Sequence, residues 1–245
     1  MKVLILAAGK GSRISRYLSG KPKCTVNIGN IPLIEYTVKK LNDLGINDIG
    51  IITGYNKDEI EKVLKNYNIK FFNNPFFDVT NSIASAWFAR DFITEDDDII
   101  IMNADVFMEE ALIKHILNSQ RSPVLFSDES RKEEADYKLF YKDNILINYG
   151  KELKDDDITG EYIGVAKINR DFISIFKNNL NKLISEQNHS LWWENILYSL
   201  SNKNNIYVEN ISGMFWAEVD YIEDYERILA FRQYSLEFNL KIKEM

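Results

Sequence analysis

The hydrophobic positions of the chain change period from one segment to the next. Lys2–Leu6 is a nearly unbroken apolar run, the pattern of a short strand buried on both faces of a parallel sheet. Ile49–Thr53, Ile69–Phe72, Asp98–Met102 and Val124–Phe126 repeat it. Helical spacing lies between these runs. Leu33, Ile34, Thr37, Val38, Leu41 and Leu44 share one face, with Gly45 as a C-terminal stop. Lys57–Tyr67 is amphipathic through Ile60, Val63, Leu64 and Tyr67. Thr80, Asn81 or Ser82 can cap a helix running to about Phe92, and Glu109–Asn118 forms another. Strand–helix alternation of this kind predicts a Rossmann-like, doubly wound, mostly parallel α/β sheet.

The rhythm changes after Ser127. Tyr137–Tyr149 reads as antiparallel strands around a turn at Lys142-Asp143-Asn144, and Glu161–Ile168 as a strand. Helices are expected at about Asp171–Glu186 and Leu191–Leu200, strands at Ile206–Val208 and Phe215–Val219, and a last helix from Ile222 towards Phe238. The expected fold is therefore a three-layer α/β/α domain with a mixed sheet and an inserted antiparallel part. No repeat, low-complexity tract or proline-rich linker divides the chain, so residues 1–245 are expected to form one domain with halves 1–127 and 128–245.

The 245 residues suffice for a sizeable core, and 45% hydrophobic with 27% charged is an ordinary globular balance. A net charge of −7 argues against a nucleic-acid partner. A single cysteine, Cys24, excludes an intrachain disulfide framework, and two distant histidines make zinc a poor expectation. The opening apolar run is too short for a signal peptide or a membrane span. A cytoplasmic protein without a membrane partner is expected.

The chemistry begins in the loop after the first strand, Ala7 to Arg13. Such a loop lies at the carboxyl edge of the sheet, where ligands bind. Gly9 and Gly11 let backbone N–H groups approach phosphate oxygens. Arg13 can fork onto two phosphate oxygens, and Lys23 adds a point charge. The segment is neither a GxGxxG fingerprint nor a P-loop. A structural strand-to-helix turn with solvated cations is the competing reading.

LAAGKGSR followed by Pro22-Lys23 closely resembles the signature of the GT-A-like nucleotidyltransferases that make sugar nucleotides and related activated phosphates. The resemblance implies that the loop, including Ala7, Ala8, Gly9, Gly11 and Ser12, wraps a triphosphate. It implies that Arg13 and Lys23 are catalytic, stabilising charge on departing pyrophosphate. It also implies that Asp105, after Asn103-Ala104, and Asp220, after Glu218-Val219, hold Mg²⁺, whose hard charge suits carboxylate oxygens. Ala104, Gly54, Tyr55, Asn81 and Ser82 are implied near the nucleotide. Asn81 has two roles open, reading a base edge or capping a helix. One departure is Ser15-Arg16-Tyr17-Leu18, where many sugar-specific members carry Pro-Leu-Thr.

Ser190-Leu191-Trp192-Trp193-Glu194-Asn195 sets two tryptophans beside a carboxylate, and Trp216 precedes Asp220 by four residues. Aromatic faces with a carboxylate suit an ammonium group, although core packing is the stronger reading of any single tryptophan. On a helix Trp192 and Trp193 would point about 100° apart, which favours one of them as a pocket wall. This run resembles bacterial CTP:phosphocholine cytidylyltransferases and the related aminoethylphosphonate and phosphoramidate cytidylyltransferases. That resemblance implies CTP and a small phosphate or phosphonate as partners. It puts Lys151, Glu161, Trp193, Glu194 and Trp216 at the acceptor and suggests a place in making cell-surface or phospholipid precursors. The alternatives are a sugar-1-phosphate nucleotidyltransferase and a non-catalytic nucleotide-binding subunit. The second should have lost some of Arg13, Lys23, Asp105 and Asp220, and all four are present. A homodimer is one assembly left open.

Overall fold

The structure, a computed structural model, describes residues 1–11, 18, 20–133 and 135–243. Its centre is β1 (Lys2–Ala7), which pairs in parallel with β2 (Asp48–Thr53) on one side and β4 (Ile99–Asn103) on the other. The outer edge is β3 (Ile69–Asn73), parallel to β2. Side-chain alternation along β1 explains the layers. Leu4, Leu6 and Ala8 belong to one apolar core, and Val3, Ile5 and Ala7 to another. The second core is covered by α1 (Leu33–Asp43) and α2 (Lys57–Val63). The first is covered by α3 (Ser82–Phe88). Residues on both faces of β1 are fully buried, so the run must be apolar throughout.

The antiparallel part continues the same sheet. β5 (Val106–Met108) and α4 (Glu110–Asn118) lead into β6 (Val124–Asp128), then the hairpin of β7 (Lys138–Lys142) and β8 (Ile145–Gly150). Asp143 and Asn144 have positive φ, 52° and 62°, as a two-residue hairpin turn requires. β9 (Gly160–Ile168) runs antiparallel between β4 and β6 and also meets β7. α5 (Arg170–Ser185), α6 (Asn195–Tyr198) and β10 (Tyr207–Asn210) follow, with β10 parallel to β6. The sheet order is β3-β2-β1-β4-β9-β6-β10-β8-β7. The fold is thus the expected α/β type with a mixed sheet.

Four elements depart from expectation, the first being the helix expected to run to about Phe92, which stops at Phe88. The helix expected over Leu191–Leu200 shrinks to α6, because residues before it run as backbone against the start of α3. The Asn81 and Ile83 amides donate to His189 and Leu191 carbonyls at 2.9 and 3.3 Å, and the Trp193 amide donates to Ser82 Oγ at 2.9 Å. The helix after Asn56 stops at Val63 instead of Tyr67. β5 has no counterpart in the sequence reading. It pairs antiparallel with β11 (Trp216–Glu218) in a separate two-stranded sheet, with Glu218 opposite Val106 and Trp216 opposite Met108. The Val219 amide extends this register by donating to the Asp105 carbonyl at 2.9 Å. The last helix, α7 (Ile222–Lys243), follows directly. Among the described residues, no helix is long and apolar enough to cross a membrane.

Candidate active site

The β5–β11 register brings the ends of distant segments together. Asp105 precedes β5, while Glu218 ends β11 and Asp220 follows it. One oxygen from each of these carboxylates lies within 4.8 Å of the others, so the group could hold a metal ion. Hard oxygen donors at this spacing suit Mg²⁺. Lys23 already places a cation there, its Nζ 2.6 Å from Asp105 Oδ2 and 2.5 Å from Asp220 Oδ1. Burial lowers the affinity of this ammonium for its proton, but Asp105, Asp220 and Glu218 more than offset that and the net shift is upward. Burial, with Asp105 and Asp220 alongside, pushes the Glu218 carboxyl well above the usual carboxylate range. Glu218 was missed in the sequence. Its signal is the i, i+2 spacing to Asp220, which puts two acids on one side of an extended segment.

Lys23 is fixed by a short 3-10 turn, Lys23–Thr25, in which Thr25 Oγ1 donates to the Pro22 carbonyl at 2.8 Å and Cys24 is buried. Gly11 lies against it. A Cβ on Gly11 would sit 2.8 Å from the Lys23 Cβ, and its φ of +62° is one that side chains resist. Ser12 and Arg13 lie outside the described residues.

Two adjoining cavities meet at Lys23. The first, about 260 Å³, is lined by Ala7, Ala8, Gly9, Gly11, Ala104 and Asp105, and reaches Asn81 and Ser82. The second, about 390 Å³, contains Lys151, Trp192, Glu194, Glu218 and Asp220, with three tyrosines, 137, 162 and 198. Lys23, Gly11, Asn81, Ser82, Asn103 and Trp192 border both. Asn81 is the N-cap of α3, its Oδ1 accepting from the Ser82 amide at 2.8 Å while its Nδ2 donates to the Ser190 carbonyl at 3.3 Å. The cap reading is therefore realised at a position that also faces the cavity. Gly54 and Tyr55 do not line either cavity. They pack against the loop: the Tyr55 amide donates to the Ala8 carbonyl at 3.0 Å, and a Cβ on Gly54 would lie 2.8 Å from that oxygen.

The acceptor-side expectations are redistributed. Lys151 and Glu194 line the second cavity, with Lys151 Nζ 2.8 Å from Asp136 and 5.4 Å from the Trp192 ring centre. Trp192, 39% exposed, forms the wall, whereas Trp193 is fully buried and donates from Nε1 to Asn103 Oδ1 at 2.9 Å. The segment is not helical there, so the helical-wheel argument that selected one tryptophan does not apply. Trp216 is buried and donates from Nε1 to Asp128 Oδ2 at 2.9 Å, away from the cavity. Glu161 is also withdrawn: its Oε2 accepts from Arg131 Nε at 2.8 Å and its Oε1 from the Asp136 amide at 3.0 Å.

Burial pushes the Glu194 carboxyl up from 4.5 to about 8, with Asp105 adding to the shift and Asn103 opposing it. The sign follows from linkage. The folded state holds this proton more tightly than the unfolded state, so stability declines as pH rises above about 4.5 and the cost is complete above about 8. Glu194→Gln removes that cost. In the presence of chelator, its melting temperature relative to the unsubstituted protein should rise between about pH 4 and about pH 9. A pH-independent difference would show that Glu194 is not the titrating group.

Residues 3–148 match the model of the MobA-like NTP transferase domain. The fold and this match define the protein as a nucleotidyltransferase. The chain belongs to the MobA-like NTP transferase domain family. It is 30% identical over 250 residues to the CTP:phosphoglutamine cytidylyltransferase of Campylobacter jejuni, covering 92% of this chain and 98% of that one. It is 25% identical over 231 residues to the choline-phosphate cytidylyltransferase of Streptococcus pneumoniae, covering 93% and 96%. Among solved structures, the CTP:phosphocholine cytidylyltransferase from Streptococcus pneumoniae has a TM-score of 0.75 at 22% identity, covering 94% of this chain and 98% of that one.

Proposed function

We propose that the protein transfers CMP from CTP to a small phosphate or phosphonate acceptor, of the phosphocholine, aminoethylphosphonate or phosphoramidate kind, and releases pyrophosphate. The observation that carries this reading is the meeting of two cavities at Lys23 and the three carboxylates. One cavity has the small side chains and glycines suited to a triphosphate, and the other has aromatic walls with charged groups. The relatives' acceptors, phosphoglutamine and choline phosphate, support the same class.

The acceptor oxygen is anionic at neutral pH, so no protein nucleophile is required for in-line attack on the α-phosphorus. The chain's own work is positioning and charge stabilisation. Backbone amides at Gly9–Gly11 face the phosphates, Lys23 supplies positive charge at the junction, and Arg13 adds a second cation. Asp105, Glu218 and Asp220 would hold Mg²⁺, which supplies charge neutralisation on phosphate oxygens when bound. Consumption of a cellular triphosphate agrees with a cytoplasmic location.

Pyrophosphate release should require both CTP and an acceptor. The test is a screen of four triphosphates against phosphocholine, phosphoethanolamine, aminophosphonates, phosphoramidates, glycerol phosphates and sugar phosphates. Turnover restricted to hexose or heptose phosphates, or none with any pair, would overturn the proposal.

A further inference from the structure

The buried floor of the second cavity carries polar groups that have no hydrogen-bond partner among the described residues. Tyr162 and Tyr198 are 6% and 1% exposed, both line the cavity, and among the described residues neither hydroxyl has a hydrogen-bond partner. Buried hydroxyls are ordinarily satisfied, so two orphans in one cavity point to a ligand that completes them. The rings are locked. Tyr198 stacks on Tyr149 at 4.2 Å and on Tyr137 at 5.6 Å, and Tyr162 meets Tyr198 edge-on at 6.4 Å. Glu194 is buried as well and lines the same cavity, so its carboxyl belongs to the same polar floor. Lys23 lines this cavity too, where it joins the first one.

A phosphate acceptor with its reacting oxygen near Lys23 would extend its far end towards this floor. On the reading of the protein as a cytidylyltransferase, we infer that Tyr162 and Tyr198 select acceptors whose far end carries N–H groups, a primary amine or a primary amide, over those ending in trimethylammonium. An N–H group donates to phenolic and carboxyl oxygens, and an amide oxygen accepts from a phenol. Trimethylammonium has no N–H to donate, so it covers the hydroxyls without donating to them. A site built to hydrogen-bond its substrate discriminates strongly against an analogue lacking the bond. The aromatic walls, with Tyr137 edge-on to Trp192 at 5.3 Å, accommodate either head, so selection rests on the floor.

The experiment compares kcat/KM for phosphoethanolamine, a phosphate ester ending in a primary amide, and phosphocholine, all with CTP. The unsubstituted enzyme should prefer at least one N–H acceptor by about 10-fold or more. Tyr162→Phe and Tyr198→Phe should each reduce that preference by about 10-fold. Tyr141→Phe should leave the preference unchanged, since its hydroxyl donates to Glu129 at 3.0 Å outside the cavity. Thermal shifts with acceptors alone read the pocket without turnover. The Phe variants should melt no lower than the parent when free and lose most of the shift produced by N–H acceptors. Equal or better use of phosphocholine by the parent, an unchanged preference in both Phe variants, or equal thermal shifts for all heads would overturn the inference. Absence of turnover with every acceptor would count against the cytidylyltransferase reading, and the thermal shifts would still decide the floor.

Discussion

Replacing Lys23 with alanine is expected to lower kcat/KM for nucleotidyl transfer on the order of 100-fold or more. The effect should fall on kcat, because charge on the leaving pyrophosphate develops during the reaction. The structure adds a second consequence. Lys23 binds Asp105 and Asp220 directly and sits beside Glu218. Without its ammonium, Asp105 and Asp220 lose that counter-charge beside Glu218, and like charges so close destabilise the fold. The Lys23→Ala protein should therefore melt lower than the parent in chelator and recover when Mg²⁺ is added, while the lost activity does not return. Recovery of both would mean that the lysine only balances the carboxylates. Parent-like activity in Lys23→Ala would remove the lysine from the reaction altogether.

The part of the site readable in advance lay where a local pattern carries the geometry. Lys2–Leu6 announced a doubly buried strand, and a loop leaving such a strand opens at the ligand edge. Asp105 and Asp220 were legible as strand-end acids through resemblance, but the pairing that joins them was not. β5 is only three residues long, and its partner lies more than a hundred residues away. Periodicity cannot report such a pairing. Glu218 was lost with it. On the acceptor side, which side chains face the cavity was not legible, for a related reason. Trp192 and Trp193 are neighbours in sequence, and which faces the cavity depends on backbone held by Ser82 and the start of α3. Trp216 and Glu161 looked available because Asp128 and Arg131, their partners in space, follow no sequence spacing that marks them. The three cavity tyrosines come from β9, α6 and the segment before β7, so no motif could collect them.

Trp193→Ala should destabilise the protein by about 3–5 kcal/mol, the range for deleting a large buried aromatic. The ring is fully buried in the core that also contains Leu4, Ile83 and Ile196. Its loss leaves a cavity and also removes the donor to Asn103 Oδ1. Asn103 ends β4, borders both cavities, and packs so closely on β9 that a Cβ at Gly164 would lie 2.9 Å from its Nδ2. The tryptophan thus links core packing to the orientation of a residue that borders both cavities. Urea denaturation should show a lower midpoint with an unchanged slope, since the same surface is exposed on unfolding. Trp193→Phe separates the two contributions. It keeps much of the apolar volume but loses the N–H, so it should unfold nearer the parent while catalysis suffers through Asn103. If Trp193→Phe kept parent activity, the bond to Asn103 would be dispensable, and the ring would matter to the site only through packing.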